Sequence, residues 1–279
     1  MNDLRSVRRF WQSMSGRIGL GLTVFLFAIA LLAPILRPYR PSRNFQDRLL
    51  PPSLTHLFGT DGLGRDLLTG VWYGIQTSLL ISLVSVGIGA LIGLTLGILA
   101  GYFRGWIDAV LSWMTDILLA FPSILFAIAI VTVTVNPSLQ TVIFAVGVVQ
   151  IPTYIRLTRS VVLSLREQEF VQAAKALGVT TPQIILRHIL PGSLAPMIVQ
   201  ASLSLGTATL EAAGLGFLGL GAPPPTPELG TMLADAFRDG YLRTAPWTTI
   251  FPGIAITLIV LAFNLLGDGL RDGFDPRSR

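Results

Sequence analysis

Apolar residues fall along this chain in long blocks rather than in the short stripes of a soluble domain. A helix that crosses a bilayer needs roughly 20 mainly apolar residues. Six blocks meet that length: "IGLGLTVFLFAIALLAPIL" at 18–36, then runs near 77–100, 107–135, 139–157, 194–220 and 248–266. The first follows a basic start with Arg5, Arg8, Arg9 and Arg17 and could act as a secretory signal with "AIA" as its cleavage site. Its apolar run exceeds a typical signal core, which favours an uncleaved first span. The pattern predicts an all-α, polytopic membrane protein.

Polar residues gather in three places between the blocks. Two are long, proline- and glycine-rich segments, 37–73 and "GAPPPTPELGTMLADAFRDGYLRTAPW". They read either as contacts for something arriving at that face or as solvated caps on the bundle. The third is the island "QEFVQAAKALGVTTPQIILRHILPG", 168–192, which holds the only lysine, Lys175, and His188, one of two histidines. Phe170, Ala173, Ala174 and Leu177 recur at i, i+3, i+4 and i+7, predicting a short helix with a small apolar face. Gly178 is the expected C-terminal cap, Thr181 the cap of a second helix with Pro182 in its first turn, and Pro191 the end of that helix. A helix this short needs outside contacts to persist. The island therefore fits either a partner's groove or the membrane surface.

Within the blocks, two stripes stand out. Gly89, Gly93, Gly97 and Gly101 recur every fourth residue, a pattern that lets a second helix approach closely in lipid. Plain intramolecular packing is the first expectation, and a subunit interface or sliding surface the second. Gln200, Ser204, Thr207 and Glu211 share one face of the fifth span, lining a translocation pathway or forming interhelical hydrogen bonds. Charge in mid-membrane costs roughly 2.5 to 3.5 kcal/mol on insertion scales, so Glu211 should face protein or water. Asp116 is expected on a face with Ser112 and Ser123, as a pathway residue or an aspartate paired within the bundle, with Pro122 bending the third span.

Composition narrows the function. The chain is 52% hydrophobic and 13% charged, with a net charge of +5 carried by arginines at the block edges, which speaks against nucleic-acid binding. Alternating sides from a cytoplasmic start places both termini and the island on the more basic face, as the positive-inside rule requires, with 37–48 a local exception. Without cysteine and with only His56 and His188, no metal site is expected. Lys175 lacks the frame of a phosphate-binding loop, so no ATP site is expected in this chain. An ion-coupled carrier using Asp116 and Glu211 is the competing class, although no internal repeat supports it.

The island, read as "QAAKALGVTTPQIILRHILP", resembles the EAA loop of permease subunits of ABC importers, E-A-A-x3-G-x9-I-x-L-P, with Ala173, Ala174, Gly178, Leu190 and Pro191 in place. Gln172 stands where that pattern has glutamate, weakening an ion-pair role there, and His188 where it has isoleucine. "FGTDGLGRDLL", "DILLAFPSIL", "GLGFLGLGAPPPTPELGTML" and the segment from "APWTTIFPGIAI" to the C-terminus are similar to the C-type permeases of dipeptide, oligopeptide and nickel importers. The resemblance implies a type I importer permease with six spans. It divides into 1–72 (N-terminal segment, first span and outer loop) and 73–279 (five spans and the coupling loop 167–191). It implies as partners a homologous B-type permease, two cytoplasmic ATPases that bind ATP and Mg, an extracytoplasmic solute-binding protein and membrane lipid. Contact with an ATPase is implied for Glu169, Gln172, Ala173, Ala174, Lys175, Leu177, Gly178 and His188. Cargo would be dipeptides or oligopeptides, or alternatively nickel complexes, in the inner membrane of a bacterium or archaeon.

Overall fold

The computed structural model describes residues 8–37, 45–134 and 138–274, so Arg5, Arg40, Arg43, Arg277 and Arg279 lie outside the described residues. Helix α1 spans Met14–Leu36 and, after a 3-10 turn at Phe45–Asp47, α2 runs Leu67–Phe103. Helices α3 (Gly105–Ala120) and α4 (Ser123–Val133) follow, then α5 (Leu139–Arg166) and the short α6 (Glu169–Ala176). Helix α7 (Thr181–Ile184) passes through a π turn at Ile185–Ile189 into α8 (Leu190–Phe217). Helices α9 (Leu229–Arg238), α10 (Tyr241–Thr244) and α11 (Trp247–Phe274) complete the described chain. Among the described residues five helices, α1, α2, α5, Thr181–Phe217 and α11, are long and apolar enough to cross a membrane, and the bent pair α3–α4 brings the number to six if the two count as one broken span. Among the described residues the only β pairing is an isolated bridge between Thr60 and Asp66.

Three spans depart from the expected runs. Helix α2 starts at Leu67, ten residues ahead of the run near 77, and its 37 residues make a rod of about 55 Å, well beyond a hydrocarbon core of about 30 Å. The expected third span is not one bent helix but two, turned by 94° at Phe121–Pro122. Pro122 has no N–H to continue the ladder and drives Phe121 into an extended conformation, ψ 139°. Conversely, Pro191 ends nothing: the rod from Thr181 to Phe217 is continuous. The π turn just before it, closed by the Leu190 N–H on the Ile185 carbonyl, absorbs the proline's missing donor. The cap of α7 is Thr180 rather than Thr181, one residue earlier than expected, with Pro182 still in the first turn.

Packing is organised by glycine. The α2 stripe lies against α5: a Cβ at Gly89 would stand 2.7 Å from the Gln150 Cβ, and one at Gly101 2.8 Å from the Val162 Cβ. At Gly93 and Gly97 it would run into Tyr154 and Thr158. The stripe's use is therefore intramolecular. Ser85 Oγ donates to the Ile143 carbonyl at 2.8 Å across the same seam. A second seam joins α1 to α11, where Gly19 meets the backbone of Leu265 and Leu266 and Gly16 meets Gly269. Lipid tails are as apolar as leucine, so close packing of this kind, not hydrophobic expulsion, holds the helices together.

The two proline- and glycine-rich segments close one end of the bundle together. Trp247 Nε1 donates to the Thr60 carbonyl at 3.1 Å, Arg48 Nη2 to Tyr241 Oη at 2.6 Å, and Phe58 stacks on Phe251 with centroids 3.9 Å apart. Gly59 takes φ 77° where a side chain would strike the Trp247 indole. Buried Glu228 caps α9, accepting from the N–H groups of Gly230 (2.8 Å) and Thr231 (2.7 Å). Burial pushes its carboxyl up and these bonds pull it back. Asp66 caps α2 through the Thr69 N–H (2.8 Å) and also meets His56 (3.1 Å) and Arg37 (3.1 Å). Burial opposes ionisation there, but the Thr69, His56 and Arg37 contacts outweigh it and hold the carboxyl below its ordinary value.

Gly93→Ala should destabilise the protein by about 1–3 kcal/mol through overpacking. Gly87→Ala, on the same helix with open space beside it, should be neutral or stabilising by less than about 1 kcal/mol. Thermal unfolding of the purified protein in detergent checks the pair. Asp66→Ala should cost about 1 kcal/mol of stability at neutral pH. Because the folded pKa is lowered, Asp66 contributes fully above the ordinary carboxylate pKa and loses its contribution as pH falls through the lowered value. Unfolding curves taken from neutral to acid pH should therefore converge for wild type and Asp66→Ala at the acid end.

Candidate functional site

The polar stripe of the fifth span opens onto a cavity of about 310 Å³. Helix α8 supplies Gln200, Ser204, Thr207 and Glu211, all four expected residues. Glu211 is half-buried and accepts from Gln150 Nε2 at 3.2 Å, Gln200 Nε2 donates to Ser204 Oγ at 3.2 Å, and Thr207 Oγ1 donates to the Ser204 carbonyl at 3.0 Å. Four polar residues that the stripe did not disclose complete the lining: Ser123 from α4, Gln150 and Thr153 from α5, and Asn264 from α11. Gln150 and Asn264 are amides inside apolar runs, "FAVGVVQIP" and "LAFNLLG", and that isolation is the signal that could have flagged them. Leu118, Leu119, Phe121, Phe126, Val149 and Leu203 supply the apolar part of the wall.

Asp116 is elsewhere. The break at Pro122 carries Ser123 into the Glu211 cavity and leaves Asp116 with Ser112 in a separate recess of about 260 Å³ between α3 and α5. Asp116 there pairs with Arg156 at 2.7 Å, both side chains more than half exposed, an ion pair worth at most about 1 kcal/mol. Asp108, one turn earlier on α3 than Ser112, pairs with Arg159. The expected common face of Ser112, Asp116 and Ser123 does not form, because the helix that would carry it is interrupted.

At the opposite end from the closed loops, the polar island folds as a root and a free face. Val171 is buried in a cluster with Ile98, Val162, Ile184 and Ile189, which fixes α6 to the ends of α2, α5 and α8. Phe170, Gln172, Ala173, Lys175 and Leu177 point outward, Ala174 is half-buried, and Leu177 is 84% exposed. Gln172 Nε2 donates to the Arg166 carbonyl at 2.9 Å, so the amide that replaces an expected glutamate ties α6 back to the end of α5. Gly178, at φ 78°, allows a two-bond closure of the helix: its N–H reaches the Lys175 carbonyl (3.0 Å) and the Val179 N–H that of Ala174 (3.1 Å). Glu169 opens α6 as the acidic residue of its first turn, and the His188 ring lies 5.9 Å from that of Phe170.

Residues 93–279 match the family described as binding-protein-dependent transport system inner membrane component, and residues 4–52 match the N-terminal TM domain of oligopeptide transport permease C. The dipeptide transport system permease protein DppC of Alkalihalophilus pseudofirmus is 50% identical over 263 residues, 94% of this chain and 86% of that protein. The di/tripeptide transport system permease protein DppC of Pseudomonas aeruginosa is 46% identical over 98% of this chain and 93% of its own length. The glutathione transport system permease protein GsiD of Pectobacterium atrosepticum is 44% identical over 98% of this chain and 91% of its own. In fold the chain is similar to the methionine ABC transporter MetNI in inward-facing conformation, with a TM-score of 0.61 at 22% identity over 75% of this chain and 96% of that one. Its relatives are transport permeases, its helices cross a membrane several times, and the motifs of the C-type branch lie along its length in order. The chain belongs to the family of binding-protein-dependent transport system inner membrane components, as a multi-pass C-type permease of an ABC importer.

Proposed function

We propose that this chain forms one half of the translocation pathway of an ATP-driven importer of short peptides, and that α6 is where a cytoplasmic ATPase takes hold of it. A homologous B-type permease supplies the other half, and an extracytoplasmic binding protein delivers cargo to the end closed by the paired loops. The chain performs no chemistry and holds no cofactor of its own; ATP and Mg belong to the ATPases. Peptides are the cargo class because dipeptide, di/tripeptide and glutathione transport are what the relatives are named for.

The observation that carries this reading is the two-sided α6. Phe170 on α6, Leu177 at its end and Leu186 in the following π turn are all more than half exposed, while Val171 of α6 is rooted in the bundle. Exposed apolar groups clustered beside polar ones mark a contact surface. The position of α6 also suits a lever, because the rod from Thr181 to Phe217 begins after a link of four residues and carries Gln200, Ser204, Thr207 and Glu211 on its flank. ATPase closure would displace α6, tilt that rod and switch the cavity between two discrete packings. Arg17, Arg104, Arg166, Lys175, Arg187 and Arg271 share the α6 end, which supports a cytoplasmic placement for it and for both termini.

Leu177→Asp should abolish co-purification of the ATPase and ATP-driven uptake. Membrane insertion and the chain's own stability should stay within about 0.5 kcal/mol of wild type, because Leu177 makes little contact within the chain. Ala174→Asp should act in the same direction. An undiminished yield of complex from Leu177→Asp would contradict the coupling role. Thr207→Trp, which fills the cavity from an exposed position, should leave the complex intact and lower uptake about ten-fold or more, equivalent to at least about 1.4 kcal/mol on the transport barrier.

A further inference from the structure

The Glu211 cavity has an acid and no base. Among the described residues its lining contains one carboxylate, Glu211, and no arginine, lysine or histidine. The nearby cations are engaged in the other recess, Arg156 by Asp116 and Arg159 by Asp108. Glu211 is served by neutral groups alone, the Gln150 amide at 3.2 Å and the Ser123 side chain beside it. A carboxylate has about four acceptor positions, so two neutral donors leave capacity on it. An acid kept inside a membrane span without a protein counter-charge marks a functional site. The same wall presents the hydroxyls of Ser204 and Thr207 and the amide of Asn264, acceptors suited to a group with several N–H donors. A volume of about 310 Å³ lies at the lower end of the range of small-molecule sites.

We infer that Glu211 receives the protonated amine of the cargo as it crosses the cavity, with the Ser204 hydroxyl and the Asn264 amide oxygen taking the ammonium's remaining hydrogens. The inference rests on the reading of this cavity as part of the pathway and adds to it the chemical class of the group recognised. Glu211 is thereby a specificity-determining residue: it favours cargo with a free ammonium over acylated cargo of the same size. A charge-assisted contact of this kind is roughly twice as strong as a neutral hydrogen bond.

The chain contains no cysteine, so Thr207→Cys places a single thiol in the cavity wall. In the purified, assembled transporter the rate at which a small thiol reagent modifies that position is read by mass spectrometry of this chain. The probes are alanyl-alanine, N-acetyl-alanyl-alanine and N-acetyl-lysinamide at millimolar concentration. Alanyl-alanine should slow labelling about ten-fold and N-acetyl-alanyl-alanine should leave it unchanged; Glu211→Gln added to Thr207→Cys should erase the protection, and Glu211→Asp should retain part of it. Protection by N-acetyl-lysinamide as well extends the site to side-chain ammonium groups, and its absence confines the site to the peptide amino terminus; both support an amine site. Equal protection by the free and acetylated dipeptides would overturn the amine inference and leave the pathway reading standing. A thiol that no probe protects would overturn both. The comparison of probes with Glu211 intact decides the matter even if Glu211→Gln fails to assemble.

Discussion

Everything in this bundle depends on how closely the backbones of α2 and α5 approach. In lipid there is no solvent to drive leucines together, so a seam must be held by contact at short range. Gly89, Gly93, Gly97 and Gly101 provide it, each opposite a residue one turn further along α5: Gln150, Tyr154, Thr158 and Val162. The register is consequential at both ends of that list. Gln150 reaches Glu211 from this seam, and Val162 belongs to the cluster that roots α6. A single run of small residues thus sets the position of a cavity group and of α6 on one rigid element.

The α3–α4 pair shows the opposite device. Arg104 and Gly105 both take positive φ, 57° and 63°, turning the chain sharply out of α2, and Pro122 breaks it again. Between the breaks α3 buries only Thr115 and is tied to α5 by the ion pairs of Asp108 and Asp116. The Asp116 pair is exposed and contributes little to stability, whereas the Asp108 pair is part-buried and made by two hydrogen bonds from Arg159. The two interhelical contacts differ in kind: one is fixed by steric fit along four turns, the other by charged pairs, of which only that of Asp116 lies open to water.

The sequence disclosed what periodicity governs. The glycine stripe, the Gln200 to Glu211 face and the outward Phe170, Ala173 and Leu177 all follow from helical spacing, and each lies where that spacing puts it. Spacing says nothing about where a helix stops inside an apolar run, and it is there that the structure departs from the expected spans. Pro122 and Pro191 look alike as letters in apolar surroundings, yet one divides a span and the other lies inside a continuous rod. The difference is made by the neighbouring backbone, an extended Phe121 in the first case and a π turn in the second, and neither is encoded as a pattern. Contacts between distant segments were equally hidden. The pairing of Thr60 with Trp247 and of Arg48 with Tyr241 joins two loops that separately look like solvated caps.

The polar loop and the cavity lie at different depths of the bundle, and two helices connect them. Helix α5 ends at Arg166, where Gln172 ties α6 to its last turn, and the rod that becomes α8 begins at Thr181 just beyond α6. Helix α5 is immobilised by the seam on α2. The rod packs on α11 through Gly206 against Asn264, Gly267 against Leu203 and Ser202 Oγ on the Phe263 carbonyl at 3.2 Å. A displacement of α6 therefore could not be absorbed by one flank alone and would change the angle between α5 and α8. Those are the helices that carry Gln150 and Glu211, whose 3.2 Å contact is long for a bond to a carboxylate and is the contact that such a change of angle would open first. Opening it would strip Glu211 of a neutral donor, so under the proposed pathway role of the cavity the acid's demand for an external cation would rise and fall with the position of the loop.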